Sequence, residues 1–390
     1  TVRRRELAVR ILLSASDYTN LTNGLARSAR DFCQGLRERG HEVKVLSYGE
    51  ESSLEYPLPE LRIPILNAYI HAQNFRIARP DLRAIKAALQ WADIVYVEDP
   101  LPANAVLVRE ARRARIPVVG SFHVYPENFL APFPALNRPS INHALYSLFY
   151  SSVYSACDCI HAPTQAVKER LERFGYKVPI EAFSNGLPNA WIRTGLPSSS
   201  RGEFETSQAP HRFTLVSTGR YAPEKNHEVL LRALAYSRHA PAIDLYLPGR
   251  GPLENNLRRL ASPLATTVHF GFFSHEDLQG LLDRADLYIH CARVEIEGLA
   301  ALEAMARGVT PLIARSEESS TWRYAQDERC VFPYDNPVRL ARLIDYWLDR
   351  PCECRDMGMK HYEQARELSM THSIDAMESL LVRTYRSHAR

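Results

Sequence analysis

Several chemistries that leave clear marks in a sequence are poorly represented in this chain. Its seven cysteines are an odd, scattered set. One residue separates Cys157 from Cys159 and Cys352 from Cys354, whereas the common zinc and redox motifs leave a gap of two. Reduced thiols are therefore expected, and no cofactor or metal ligand set stands out. Charge of one sign is also lacking: 48 basic residues against 45 acidic ones leave a formal net charge of +3, which does not suggest a nucleic-acid partner. Long apolar runs are missing too, and no window approaches the roughly 18 residues of a membrane helix. The most apolar helical segment, Ala144–Ala156, carries four serines and three tyrosines. Arg3-Arg4-Arg5 precedes an apolar stretch, as in a signal peptide, but Arg10 splits that stretch. A first buried strand explains it better, and a cytoplasmic protein is expected.

What is present is a globular composition, 45% hydrophobic and 24% charged over 390 residues. That length suits two domains of about 150–200 residues each. Strand-like runs alternate with helical patterns in both halves. Ala8–Ser14, a helix over Gly24–Arg39, His41–Ser47, Ile94–Val97, Val118–Phe122 and Cys159–Ala162 make the first series. Phe213–Ser217, a helix over His227–Tyr236, Ile243–Leu247, Val268–Phe270, Leu287–His290 and Thr310–Ile313 restart it. Such alternation predicts α/β units with parallel sheets covered by helices on both faces. The polar stretch from Thr194 to about Gln208 has linker composition. We expect an N-terminal domain over 1–190 and a second over 207–367, with a C-terminal helix over 368–390 packing back on the first. Doubly wound sheets bind ligands beyond the carboxyl ends of their strands, so a cleft between the two units is the expected site.

Two segments of the second unit carry the chemistry. After strand Phe213–Ser217 comes TGRYAPEKNH, with Gly219 for a tight turn and two cations, Arg220 and Lys225, at the sheet edge. A planar guanidinium and a compact ammonium suit a diphosphate; solvated side chains, Lys225 paired to Glu224 or Glu228, are the alternative. The second segment, VEIEGLAALEAMARG, places Glu295 before a helix over Leu299–Arg307, Gly298 at its start, Glu303 one turn in and Gly308 as the cap. The N–H groups of Gly298, Leu299 and Ala300 stand at the positive end of that helix and offer an anion site. Carboxylates repel a phosphate, so Glu295 and Glu303 are better read as acceptors for hydroxyls. Phosphate and polyol together describe a sugar nucleotide; an acidic helix start serving only the dipole is the alternative.

Together, STGRYAPEKNHEVLLRALA, LPGRGPLENNLRRLA and VHFGFFSHEDLQGLLDRADLYIHCARVEIEGLAALEAMARGVTPLIA resemble the donor domain of retaining glycosyltransferases of GT-B family four. That family's signature, E, seven residues, E, is matched by Glu295 and Glu303. The first half agrees through SDYTNLTNGLARSARDFCQGLRERGHEVKVLS, GSFHVYPENF, PTQAVKERLERFGYK and SNGLPNAWI, so the likeness covers nearly the whole chain. It implies a GT-B architecture, two Rossmann-like doubly wound domains facing an interdomain cleft. It also implies that Arg220 and Lys225 bind the donor diphosphate, Glu303 the ribose and Glu295 the donor sugar. Gly298–Ala300 would present N–H groups, and Phe272 would lie near the base. His123 would contact the donor sugar and help arrange the reaction, although a lone strand-end histidine is more often structural. Asn23 and Gly24 would form a loop toward donor phosphate or acceptor. The nucleotide sugar is a co-substrate and no cofactor is implied. The implied outcome is retention by front-side attack.

The loop and signature segments most resemble the subset that glycosylates diacylglycerol and related lipids. Arg76, Arg79, Arg83, Arg109, Arg112, Arg113 and Arg115 could meet anionic headgroups at the inner face of a membrane; solvated helix faces are the alternative. A soluble sugar acceptor, or a non-catalytic sugar-nucleotide binder, stays open. Two departures are visible: one glycine in Thr22-Asn23-Gly24 where many relatives have a pair, and His290-Cys291-Ala292 where a proline is usual. Glu297 has no assigned role and is expected to face solvent or to tune donor preference.

Overall fold

The structure, a computed structural model, describes residues 8–20, 24–50, 52–64, 67, 70–71, 75–131, 133, 135–194 and 212–388. Asn23 and most of the expected linker lie outside the described residues. The chain divides into two compact units, one of Thr1–Gly186 with Met370–Arg390 and one of Leu187–Ser369.

The first unit holds a seven-stranded sheet: β1 Arg10–Ser14, β2 Glu42–Tyr48, β3 Tyr56–Leu58, β4 Ile94–Val97, β5 Val118–Ser121, β6 Cys159–Ala162 and β7 Ile180–Ala182. Its order is β3-β2-β1-β4-β5-β6-β7, with every neighbour parallel. β4, β5 and β6 are buried along their whole length, as sheets covered on both faces require. Helix α1, Gly24–Glu38, turns Ala29, Phe32, Cys33 and Leu36 inward, the one-stripe spacing of an amphipathic helix. Burial of a side chain such as Phe32 or Leu36 contributes about 1.5–3 kcal/mol.

The second unit repeats the plan with six strands: β8 Phe213–Val216, β9 Ile243–Pro248, β10 Thr267–Gly271, β11 Leu287–His290, β12 Thr310–Arg315 and β13 Val331–Pro333. The order β10-β9-β8-β11-β12-β13 is again wholly parallel. The strand order reverses between β8 and β11, and this switch point is where open parallel sheets take their ligands. Helix α2, His227–Leu234, and helix α3, Leu299–Met305, follow β8 and β11. Leu187 belongs here because its N–H donates to the Leu368 carbonyl at 2.8 Å, and Trp191 is buried with Leu281 and Met305.

The last helix, α4, spans Met370–His388 and returns to the first unit. Ile374, Met377, Leu380 and Leu381 join the core of β1, β4 and α1. Gly35 on α1 permits this contact, since a β-carbon there would stand 2.1 Å from Ile374 Cδ1. Arg39 Nε reaches Glu378 at 2.9 Å and His41 Nε2 lies 3.1 Å from the same carboxylate.

Three short edge strands, β3, β7 and β13, have no counterpart in the sequence reading. Two of them carry proline, Pro57 and Pro333, which edges tolerate because one side needs no ladder donor. Runs of this length carry too little alternation to be read without their neighbours.

Candidate active site

In the second unit, the chain leaves β8 through Thr218 and turns at Gly219, whose φ is +149°. The Gly219 N–H donates to the Pro248 carbonyl at 3.1 Å and the Tyr221 N–H to the Arg250 carbonyl at 2.9 Å. Gly249 and Gly251 allow this approach, because a β-carbon on Gly249 would sit 2.0 Å from the Gly219 carbonyl oxygen and one on Gly251 2.5 Å from that of Tyr221. A tight turn Pro223–Lys225 follows, and Asn226 takes a left-handed conformation (φ 53°) to start α2. Asn226 Nδ2 secures that conformation by donating to the Tyr334 carbonyl at 2.8 Å.

The loop after β11 is tied to this turn. The Glu224 carbonyl accepts from the N–H of Arg293 at 2.8 Å, while the Glu224 carboxylate accepts from Arg220 Nη2 at 2.7 Å. On its other side the loop is stitched to residues 318–321: the Glu295 N–H donates to the Glu318 carbonyl at 2.9 Å and the Ser320 N–H to the Glu295 carbonyl at 3.0 Å. Thr321 Oγ1 donates to the Glu297 carbonyl at 3.2 Å. Gly298 has φ +83°, and a β-carbon there would lie 2.4 Å from Thr321 Oγ1. The glycine is thus demanded by the fold itself, whatever ligand approaches.

These loops bring Lys225 and Glu295 together: the Lys225 ammonium donates to Glu295 Oε2. His290 Nε2 stands 3.7 Å from the same oxygen. Burial pushes the Glu295 carboxyl up, but Lys225 and His290 outweigh it and hold the group below its ordinary range. Burial drives the His290 imidazole down to about 4. Burial, helped by Lys225 and His290, drives His227 to about 3. Both rings are therefore neutral beneath the Lys225–Glu295 pair.

Glu303 is buried on α3 near Tyr288, whose hydroxyl pairs with Thr218 Oγ1 at 2.8 Å. The first N–H bonded back within the α3 turn is that of Ala301, to the Gly298 carbonyl at 2.8 Å. Phe272, after β10, is 73% exposed, with the Arg250 guanidinium 5.5 Å from its ring centre. Of the two readings of Glu297, the solvent-facing one is excluded, because the residue is 3% exposed. The stitching of its loop to Ser320 and Thr321 turns it inward.

In the first unit, His123 follows the end of β5. Its Nδ1 lies 2.8 Å from Glu98 Oε2 and its Nε2 is 2.9 Å from Asn185 Oδ1. Glu98, at the end of β4, is fully buried, and its carboxylate stands against Nδ1 of the ring as a close ion-pair contact. Next to it, Asp99 Oδ2 accepts the Ser16 N–H at 2.6 Å and holds the turn after β1. His161 packs edge-on against His123, with centroids 5.8 Å apart, and burial lowers it to about 3. As a neutral ring it donates from Nε2 to the Phe183 carbonyl at 2.8 Å, so Nδ1 accepts from Ser121. Gly24 opens α1, and a β-carbon there would meet nothing within 4 Å.

Arg220, Lys225, Glu295 and the start of α3 thus share the β8–β11 switch point. Sequence reasoning missed Glu98, Asn185, Arg250, His227, Ser320 and Thr321, and it offered Glu224 as a partner for Lys225, whereas the structure pairs Glu224 with Arg220 and Lys225 with Glu295. Among the described residues no helix is long and apolar enough to cross a membrane.

Known proteins similar to this chain include glycosyltransferases and related synthases. The synthase named alpha-monoglucosyldiacylglycerol synthase of Streptococcus pneumoniae is 25% identical over 317 residues, 78% of this chain and 71% of its own length. The synthase of that name from Acholeplasma laidlawii is 21% identical over 329 residues, covering 80% and 81%. Among solved structures, Anabaena HepE in complex with UDP and glucose is similar in fold, with TM-score 0.71 at 16% identity over 96% of this chain and 100% of that one. Residues 22–190 match the family Glycosyltransferase Family 4 and residues 200–364 match Glycosyl transferases group 1. The chain is therefore a glycosyltransferase of GT-B fold that matches Glycosyltransferase Family 4 in its first half and Glycosyl transferases group 1 in its second.

Proposed function

We propose that this glycosyltransferase moves a hexose, with retention, from a nucleoside-diphosphate sugar of the UDP-glucose type to a hydroxyl of a membrane lipid such as diacylglycerol. The observation that carries the donor half is the Lys225–Glu295 pair at the β8–β11 switch point, with Arg220 on the same turn. Both cations are neutralised by carboxylates, and a diphosphate competes for them. Its charge rises as the glycosyl bond breaks, so Arg220, Lys225 and the N–H groups of Gly298, Leu299 and Ala300 favour the transition state over the ground state. This reading asks for no metal or cofactor. Glu303 accepts from ribose hydroxyls, Glu295 from sugar hydroxyls, and the exposed Phe272 ring, with Arg250, offers a face to the base. Retention follows if the acceptor hydroxyl attacks from the side on which the diphosphate departs. His123, fixed by Glu98, assists at the sugar, and Gly24 with Asn23 serves phosphate or acceptor.

Lipid as acceptor is supported by the names of the two synthases and by the surface of the first unit. Leu136 and Leu148 are about half exposed there, at 49% and 54%, and Arg79, Arg83, Arg109, Arg112, Arg113 and Arg115 are exposed. Arg76 is not among them: it is half-buried, with Nε 3.7 Å from Glu60. Peripheral attachment to the inner membrane face is the corresponding location.

The test is a donor-by-acceptor screen of UDP-glucose and GDP-mannose against diacylglycerol vesicles and soluble sugars, with the anomeric configuration of product read by NMR. Transfer to diacylglycerol with retained configuration is expected. Transfer only to soluble sugars would replace the lipid acceptor, and donor binding without transfer or hydrolysis would leave a non-catalytic binder.

A further inference from the structure

His290 closes β11 directly beneath the proposed donor site, and the donor reading assigns it no part. It is 3% exposed, its ring stacks along Tyr288 with centroids 6.4 Å apart, and its Nε2 is a buried atom without a hydrogen-bond partner among the described residues. An orphaned buried polar atom is costly and calls for a reason. Glu295 Oε2 stands 3.7 Å away, an oxygen already held by the Lys225 ammonium.

Arrival of a diphosphate changes this balance. Lys225 is drawn to the phosphate oxygens, and Glu295, a half-buried carboxylate with its side chain 17% exposed, loses its counter-ion. A carboxylate that has lost most of its water and its cation is destabilised, and His290 is poised to replace the lost donor. Closing the gap to about 2.8 Å asks only for a small side-chain movement. Lys225, His227 and Tyr288 also lie close to the pair, Ser319 and Ser320 border Glu295, and His227 is buried against Tyr221 with centroids 5.8 Å apart.

We infer that His290 is a positioning residue: when a nucleoside-diphosphate sugar engages Lys225, the His290 Nε2–H takes over Glu295 Oε2 and holds the carboxylate on the sugar hydroxyls. This rests on the proposed donor reading. A hand-over of this kind separates recognition of the sugar from recognition of the diphosphate, because only a ligand that carries the sugar uses the repositioned carboxylate.

The experiment titrates UDP and UDP-glucose, with GDP and GDP-mannose in parallel, into the full chain and into His290→Leu and His290→Gln. For whichever pair the wild type binds, His290→Leu is expected to weaken the nucleotide sugar by about tenfold and the free diphosphate by less than about twofold. His290→Gln keeps a donor at this place and recovers most of the loss. In the wild type, ¹⁵N NMR of the histidine side chains should show one Nε2–H acquiring a hydrogen bond when the nucleotide sugar is added. Equal losses for diphosphate and nucleotide sugar, or no Nε2 change in the wild type, overturn the inference even if the Leu variant fails to fold. If the wild type binds none of the four ligands, it is the donor reading that fails.

Discussion

Glu303 and Glu98 are both buried carboxylates, yet the structure asks different things of them. Glu303 stands on α3 at the switch point, where the proposed donor would bring ribose hydroxyls to it. Glu303→Ala is expected to weaken donor binding by about tenfold or more while the circular-dichroism spectrum stays native. An unchanged calorimetric Kd would remove it from the site. Glu98 touches His123, 2.8 Å from Nδ1, and acts through it. Glu98→Gln keeps the shape but removes the negative charge beside Nδ1, so the ring loses the contact that favours a proton there. We expect kcat to fall by about 10–100-fold with little change in donor KM. A native ¹⁵N tautomer pattern for His123 in that variant would show that Glu98 does not position it. In the sequence, His123 was visible because it follows a recognisable strand. Glu98 was not, since a carboxylate at the end of an apolar run reads as the first residue of a loop.

At the scale of elements, the loop before α3 is held by backbone contacts that leave glycine as the sole comfortable choice at Gly298. With φ +83° and Thr321 Oγ1 2.4 Å from the position of a β-carbon, Gly298→Ala should destabilise the protein by about 1–3 kcal/mol, measured by denaturant unfolding. Wild-type stability would mean that the loop can rebuild around Thr321. Helix α4 makes a second case. It delivers Ile374, Met377, Leu380 and Leu381 to the core of the first unit, so ending the chain after Ser369 exposes α1 and the strands beneath it. The expected result is a first unit without a cooperative melting transition; an unaltered one would show that α4 is dispensable. Strand placement was legible wherever a strand lies inside its sheet, and Ile94–Val97, Cys159–Ala162 and Leu287–His290 have the bounds their apolar runs suggested. Helix ends were less so: α2 stops at Leu234 and α3 at Met305, because a last turn is set by capping contacts from elsewhere.

At the scale of the whole molecule, buried histidines impose one pH dependence. Burial lowers His161 and His227 to about 3 and His290 and His361 to about 4, all from an ordinary 6.5. Below pH 6.5 the unfolded chain takes up protons that the folded chain refuses, so stability is fully present above that pH and drains away as the pH falls toward the folded values. Each ring contributes up to about 1.4 kcal/mol per pH unit in that window. The melting temperature should therefore drop steeply between pH 6.5 and 4. A flat profile would mean that these rings are hydrated in solution.

Taken alone, the sequence determined the plan of this protein: two wholly parallel sheets, the likeness to glycosyltransferases, and the loops after β8 and β11 as the candidate site. Those conclusions rest on local periodicity and on glycines and charges a few residues apart, which survive in a linear string. Tertiary structure alone decided the partners. Glu295 answers to Lys225 and His290, Arg220 to Glu224, His123 to Glu98 and Asn185, and Glu297 turns inward against the segment that holds Thr321. Each pairing joins different loops or strand ends, or sets the direction of a side chain within one turn. A carboxylate's charge state and reach follow from the water it has lost and the cation beside it, and neither is written in its own neighbours along the chain.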